Sequence, residues 1–165
     1  ASSIMITTNE DIANKTNIEV DNYLKELSRN EIAKKSIDER GCIIIAKDMD
    51  EAIELMNEIA PEHLEVMTEN PFDLLPYIKH AGAIFLGQNT PEPIGDYIAG
   101  PNHTLPTGGT AKFYSPLSVE NFMKKSSIIS FSKDAMLQMG EKCALLADTE
   151  GLTAHAESIR VRLDQ

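Results

Sequence analysis

The sequence predicts an α/β fold with parallel strand pairing, followed by a helical C-terminal arm. Three observations predict it: strand-like and helix-like segments alternate through the first half, residues 42–46 form an unbroken apolar run of the kind a parallel sheet covers on both faces, and the last third keeps helical spacing without strand signals. At 165 residues, 42% hydrophobic and 25% charged, the chain has the composition of a soluble globular domain with an appendage. The division expected is an α/β domain with active-site loops over residues 1–115 and the arm over 116–165.

Taken in order, residues 4–7 are short and β-branched, and Asn9 stands where it caps a helix beginning near Glu10. Apolar residues from Ile18 to Ile37 recur mostly at three- to five-residue intervals, with polar Ser28, Arg29 and Asn30 between them; this predicts two helices or one that bends. Gly41 stops the helix and a strand follows over residues 42–46. Ala52, Ile53, Met56 and Ile59 share one face of a helix over residues 48–60, which Pro61 ends. Residues 63–68 read as a strand, 72–78 as a short helix and 83–86 as a strand, with Met56, Leu64, Val66, Leu74 and Leu75 as core.

The texture then changes. Residues 87–110 hold four of the eight prolines, five glycines, Asp96 and His103, with little periodicity; long ordered loops of this kind are disproportionately functional. Beyond them, residues 118–125 read as helical, 128–131 as extended, Ser132 as the cap of a helix running towards Asp148, and 152–163 as a last helix. No internal repeat or low-complexity segment interrupts the chain.

Charge and cysteine usage narrow the function. Twenty-six acidic residues against 15 basic ones give a net charge of -11, which repels nucleic acid and acidic membranes where no basic patch is segregated. No apolar run approaches the roughly 18 residues of a membrane span, so a cytoplasmic protein is expected. Cys42 and Cys143 lack Cys-x-x-Cys spacing and read as buried thiols of a reducing compartment. A chain that opens on Ala1, almost directly in a strand, reads as a piece of a longer polypeptide.

Three constellations carry the candidate chemistry. In Ala60-Pro61-Glu62-His63-Leu64-Glu65, Pro61 puts a carboxylate and an imidazole at a helix-to-strand junction, where both can face one cleft. Two adjacent bases whose pKa values the surroundings separate suit one to activate water and the other to move a proton; the alternative is a surface loop carrying an accidental pair. In Gly95-Asp96-Tyr97 and Gly100-Pro101-Asn102-His103-Thr104, Asp96 can be an oxygen ligand for a divalent metal and His103 a hydrogen-bond partner for an anionic or carbonyl group, unless Asp96 only opens a helix and His103 only orders a loop. Gly108-Gly109 is too short for a phosphate cradle, and no Gly-x-Gly-x-x-Gly occurs. In Glu150-Gly151-Leu152-Thr153-Ala154-His155 the spacing does not match a zinc helix, so His155 alone reads as a surface histidine. His80, at a helix end where a cation is favoured, is read as structural.

Together, Ala60-Pro-Glu-His-Leu-Glu65, Gly95-Asp-Tyr97, Gly100-Pro-Asn-His-Thr-Leu-Pro-Thr107, Ser115-Pro-Leu-Ser-Val119 and Glu150-Gly-Leu-Thr-Ala-His155 resemble the later part of histidinol dehydrogenase, in the same order and spacing. The resemblance implies an incomplete Rossmann-like α/β domain, of which this chain is the second stretch, with a helical arm. It implies oxidation of L-histidinol through the aldehyde to L-histidine, the last steps of histidine biosynthesis, with two NAD reduced and zinc holding the substrate. Glu62 would then activate water and His63 act as general base, both touching substrate. Asp96 and His155 would be zinc ligands in contact with substrate, His103 and Glu150 would contact substrate, and His155 would reach the site of a partner in a homodimer. The family's remaining zinc ligands, in a Gln-x-x-His pattern, and its nicotinamide-binding region lie upstream of the matching segment, which implies that this piece alone does not turn over. A half-built sheet should also leave an open strand edge and exposed apolar surface. Two other readings stand beside this one: a non-catalytic dimerisation or binding module, which does not require six such polar residues, and a zinc hydrolase, for which no nucleophile elbow or histidine pair is present.

Overall fold

A computed structural model describes residues 1–163. Its order is β1 (Ile4–Thr7), α1 (Glu10–Glu26), α2 (Asn30–Arg40), β2 (Cys42–Ile45), α3 (Met49–Ile59), β3 (His63–Val66), β4 (Ala83–Leu86), α4 (Glu92–Tyr97), α5 (Lys133–Thr149) and α6 (Thr153–Leu163). Two compact units result, one of residues 1–122 and one beginning at Met123.

The parallel pairing expected from the alternation is present, but as two small sheets. β1 pairs with β2 from Ile4↔Cys42 to Thr7↔Ile45, and β3 with β4 from His63↔Ala83 to Val66↔Leu86; the two ladders are separate. Each crossover carries the helix or turn that a parallel connection requires. The Asn9 side chain accepts from the Ile12 N–H at 3.1 Å, Asp48 caps α3 through the Glu51 N–H at 2.9 Å, and Ser132 caps α5 through the Ala135 N–H at 3.1 Å. The polar interruption after residue 26 separates α1 from α2, so two helices form. α3 ends on Ala60, whose φ of +50° is left-handed; Pro61 cannot continue the helix, and Ala60 takes the strain of the turn into β3.

Several expectations need correction. The short helix expected over residues 72–78 is present as a 3-10 helix, Pro71–Tyr77, because Pro71 and Pro76 each lack an N–H and restrict the residue before them. Residues 118–125 form only a single 3-10 turn, Val119–Phe122. Residues 128–131 pair with no strand among the described residues, and Ile128 and Ile129 stand 97% and 83% exposed. β2 is not covered on both faces, since a two-stranded sheet has little to cover it, and Cys42 and Cys143 are exposed rather than buried. Of the expected core, Met56 and Val66 are buried while Leu75 is exposed. Residues 87–110 are not all loop, for α4 lies within them.

The buried side chains of the first unit are small or few: Ala13, Ala46, Met56, Ala60, Val66, Phe85, Pro106 and Ala111. Many large apolar groups lie at the surface, among them Phe72, Phe113 and Phe122, as the sequence led one to expect of an open sheet. In the second unit, α5 and α6 form an antiparallel pair, with Gly140 against the Leu163 side chain and Asp148 bound to Arg160 at 2.5 Å. No helix of the described residues is long and apolar enough to cross a membrane.

One polar side chain ties α3 to the segment leading into β4. Asn57 donates to the Tyr77 carbonyl at 2.9 Å and accepts from the N–H groups of Lys79 and His80 at 2.7 and 3.2 Å. The His80 contact is made by its backbone. Replacing Asn57 by Ala leaves three backbone groups without this partner and is expected to cost about 1–3 kcal/mol of stability, read by denaturant unfolding; Asn57→Asp, which keeps both accepted bonds, should cost less.

Candidate functional site

The site grows out of the β3–β4 ladder. Side chains alternate along a strand, and the register pairs His63 with Ala83 and Glu65 with Phe85, so these four share one face of the sheet. α4 covers that face. Its approach is fixed at two points: the Glu65 carboxylate accepts from the Glu92 N–H at 2.8 Å, and Gly95 lies directly on the Phe85 ring, where an added Cβ would come within 2.4 Å of Cε1. Phe85 is buried and also meets the His63 ring, with centroids 5.9 Å apart at 41°.

The ladder itself needs a glycine at its entrance. Gly82 donates to the Pro61 carbonyl at 2.9 Å, and a Cβ there would stand 2.5 Å from the Glu62 carbonyl oxygen. Any other residue would force apart the strands that carry His63.

With α4 seated in this way, residues four apart on it point at His63. Nε2 of His63 is 3.7 Å from Glu92 Oε1 and 3.7 Å from Asp96 Oδ1. These separations are too long for hydrogen bonds, so the attraction is one of charge and strengthens when the imidazole is protonated. His63 Nε2 is shut off from solvent and has no hydrogen-bond partner among the described residues. The two carboxylates are themselves close: burial first, then the hydrogen bond and negative charge of Asp96, hold the Glu92 carboxyl above the usual carboxylate range. One ligand atom from each of His63, Glu92 and Asp96 lies within 4.8 Å of the others, an arrangement of one nitrogen and two carboxylate oxygens that suits a divalent cation or the movement of a proton.

Of the residues singled out in the sequence, the structure therefore brings His63 and Asp96 together. Glu62 is half-buried in the bend before β3, its carbonyl accepting from the Ala83 N–H at 2.9 Å; its side chain is not among the three that converge. His103 is exposed in the loop after α4. Glu150 caps the C-terminus of α5 and His155 lies in the first turn of α6, both exposed and both in the second unit.

Sequence reasoning missed Glu92. Its signal was legible: Pro91-Glu92-Pro93 has the prolines where the first turn of a helix tolerates them, and a helix from there puts Glu92 and Asp96 on one face. The abundance of proline and glycine concealed it.

Comparison with known proteins bears on this arrangement. A family model described as histidinol dehydrogenase matches residues 1–163. The chain is 68% identical over 163 residues to the histidinol dehydrogenase of Sulfurimonas denitrificans and 67% identical to that of Wolinella succinogenes, covering 99% of this chain and 38% of each relative. The crystal structure of histidinol dehydrogenase from Elizabethkingia anophelis superposes with a TM-score of 0.90 at 36% identity, over 98% of this chain and 37% of that one. The chain thus spans a little over a third of the length of the relatives it matches.

The geometry makes a direct demand on residue 95. Gly95→Ala must displace either the Phe85 ring or α4, and such overpacking is expected to cost about 1–3 kcal/mol. Denaturant unfolding reads the loss, and an unchanged midpoint would show that α4 does not rest on Phe85.

Proposed function

Because this chain belongs to the histidinol dehydrogenase family, we propose that it supplies part of the active site of a zinc-dependent enzyme that oxidises L-histidinol to L-histidine. The observation that supports this reading above others is the approach of Asp96 to His63: residues 33 positions apart, on different elements, stand 3.7 Å from one another, where a metal-held substrate alcohol would need a ligand and a base side by side.

The residues fit a divalent metal. Asp96 offers a carboxylate oxygen of the kind zinc accepts, in a cluster of three metal-ligating side chains, and the orphaned, solvent-shielded His63 nitrogen beside it is left free to act as a base. On this reading Asp96 is a zinc ligand, and His155 is a second, supplied by the arm of a partner chain in a homodimer. The remaining ligands come from the part of the relatives that this chain does not span. Bound there, zinc would hold and polarise the substrate oxygen.

His63 removes the proton of the substrate hydroxyl as hydride leaves the same carbon, giving the aldehyde. Glu62 then takes a proton from the water that attacks the aldehyde carbon, and a second hydride leaves to give the carboxylate. NAD, when bound, would take up the hydride released in each of the two steps. No residue of this chain is assigned to NAD, whose contacts fall to the uncovered part of the relatives. His103 and Glu150 contact the substrate, and residues 116–165 act as the arm that carries Glu150 and His155 to their site. A cytoplasmic setting fits a soluble biosynthetic enzyme of this kind.

The purified chain with L-histidinol, zinc and NAD is expected to form no NADH. Supplying the N-terminal portion of the Sulfurimonas denitrificans relative should restore turnover, and His155→Ala should abolish it again together with stoichiometric zinc. Turnover by the chain alone contradicts the partial-site reading; a reconstituted, zinc-loaded complex that leaves histidinol untouched contradicts the reaction assigned.

A further inference from the structure

We infer that Pro106 is a positioning residue: it docks the loop that bears His103 on the entrance of the β3–β4 ladder, so that His103 and the Glu62–His63 pair take their places from one shared contact. The inference rests on the dehydrogenase reading above, in which His103 touches the substrate, and adds a residue to which that reading gives no part.

Of the described residues 98–110, which lead away from α4 and carry His103, Pro106 alone is buried. A segment of this kind takes its place from whatever its one buried residue meets. Pro106 meets Gly82: a Cβ built on that glycine would stand 3.2 Å from Pro106 Cδ, so the ring uses space that a side chain there would need. Gly82 is also tied to the strand that begins at His63. Its N–H donates to the Pro61 carbonyl, and the next N–H, that of Ala83, donates to the Glu62 carbonyl, both at 2.9 Å. Loop and strand entrance are thus held by the same glycine.

Between this anchor and the histidine the loop has little freedom. Pro106 keeps Leu105 out of helical backbone. The Thr104 N–H donates to Asn102 Oδ1 at 2.8 Å, and the Thr104 carbonyl accepts from the Leu117 N–H at 3.0 Å. His103 lies between the two residues of that turn and is itself exposed. Releasing the anchor would leave Glu62 and His63 on their strand while His103 lost its place. Pro106 therefore governs how tightly substrate is held rather than how fast it reacts, which is a change in KM at constant kcat.

The test uses the full-length, zinc-loaded enzyme containing this segment. Pro106→Ala is expected to raise KM for histidinol about 3- to 10-fold, the effect of weakening one hydrogen bond, with kcat within about twofold and zinc content unchanged. His103→Ala should raise KM at least as much. The double variant should be no worse than His103→Ala, because Pro106 acts only through that histidine. Where Pro106→Ala does not fold, Pro106→Val, which keeps more of the ring's bulk, carries the same cycle. An unchanged KM overturns the inference, as does a kcat that falls while KM holds, or KM losses that multiply in the double variant. If the wild-type enzyme leaves histidinol untouched, the reaction is wrong and the docking is read by hydrogen exchange instead. The Leu117 N–H should then exchange faster in Pro106→Ala than in the wild type, and equal rates overturn the inference.

Discussion

Everything at the candidate site depends on how closely α4 approaches the β3–β4 ladder, and that distance is set by the Phe85 ring meeting a residue without a side chain. Gly95 lets the helix backbone lie against the Phe85 ring at Cε1 and Cζ; with any side chain there, the helix would stand further from the sheet. Two carboxylates four residues apart would then lose their approach to His63. The Glu65–Glu92 hydrogen bond sets the helix's position along the strand, and the Phe85 contact sets its height. A short helix of six residues has little stability of its own, so these two anchors, rather than its sequence propensity, hold it in place.

Much of this was readable from the residues because local chemistry and fold agree. Asn9, Asp48 and Ser132 stand where caps belong and act as caps, and the apolar runs at residues 42–45 and 83–86 are strands that pair in parallel. His63 and Asp96, chosen for their chemistry, prove to be neighbours. The rest was hidden for physical reasons. Proline conceals α4 by occupying its first turn, where no N–H is needed, and so Glu92 went unnoticed. Proline breaks the Pro71–Tyr77 segment by the opposite effect, denying donors inside it. The cysteines' apolar surroundings suggested burial, yet Cys42 and Cys143 are exposed, since composition says that a surface seeks cover and not which polypeptide provides it.

That last point connects architecture to function. Both sheets have only two strands, and the buried side chains are mostly alanine. The relatives are well over twice as long as the segment matched here. Phe113 and Phe122 in the first unit, and separately Ile128 and Ile129 in the second, are exposed, and exposed apolar groups of this kind mark contact with further protein. A site gains precision when the elements bearing its residues are held in place, and among the described residues the β3–β4 ladder is what holds His63 against α4.

The seating of α4 on Phe85 is best tested by a double-mutant cycle on stability, combining Phe85→Leu with Gly95→Ala. If the two residues are in contact as described, the smaller leucine makes room for the new Cβ, and the double variant loses less than the sum of the single losses by at least about 0.5 kcal/mol. Strict additivity would mean that the ring and the helix backbone do not touch, and the convergence of His63, Glu92 and Asp96 would lose its physical basis.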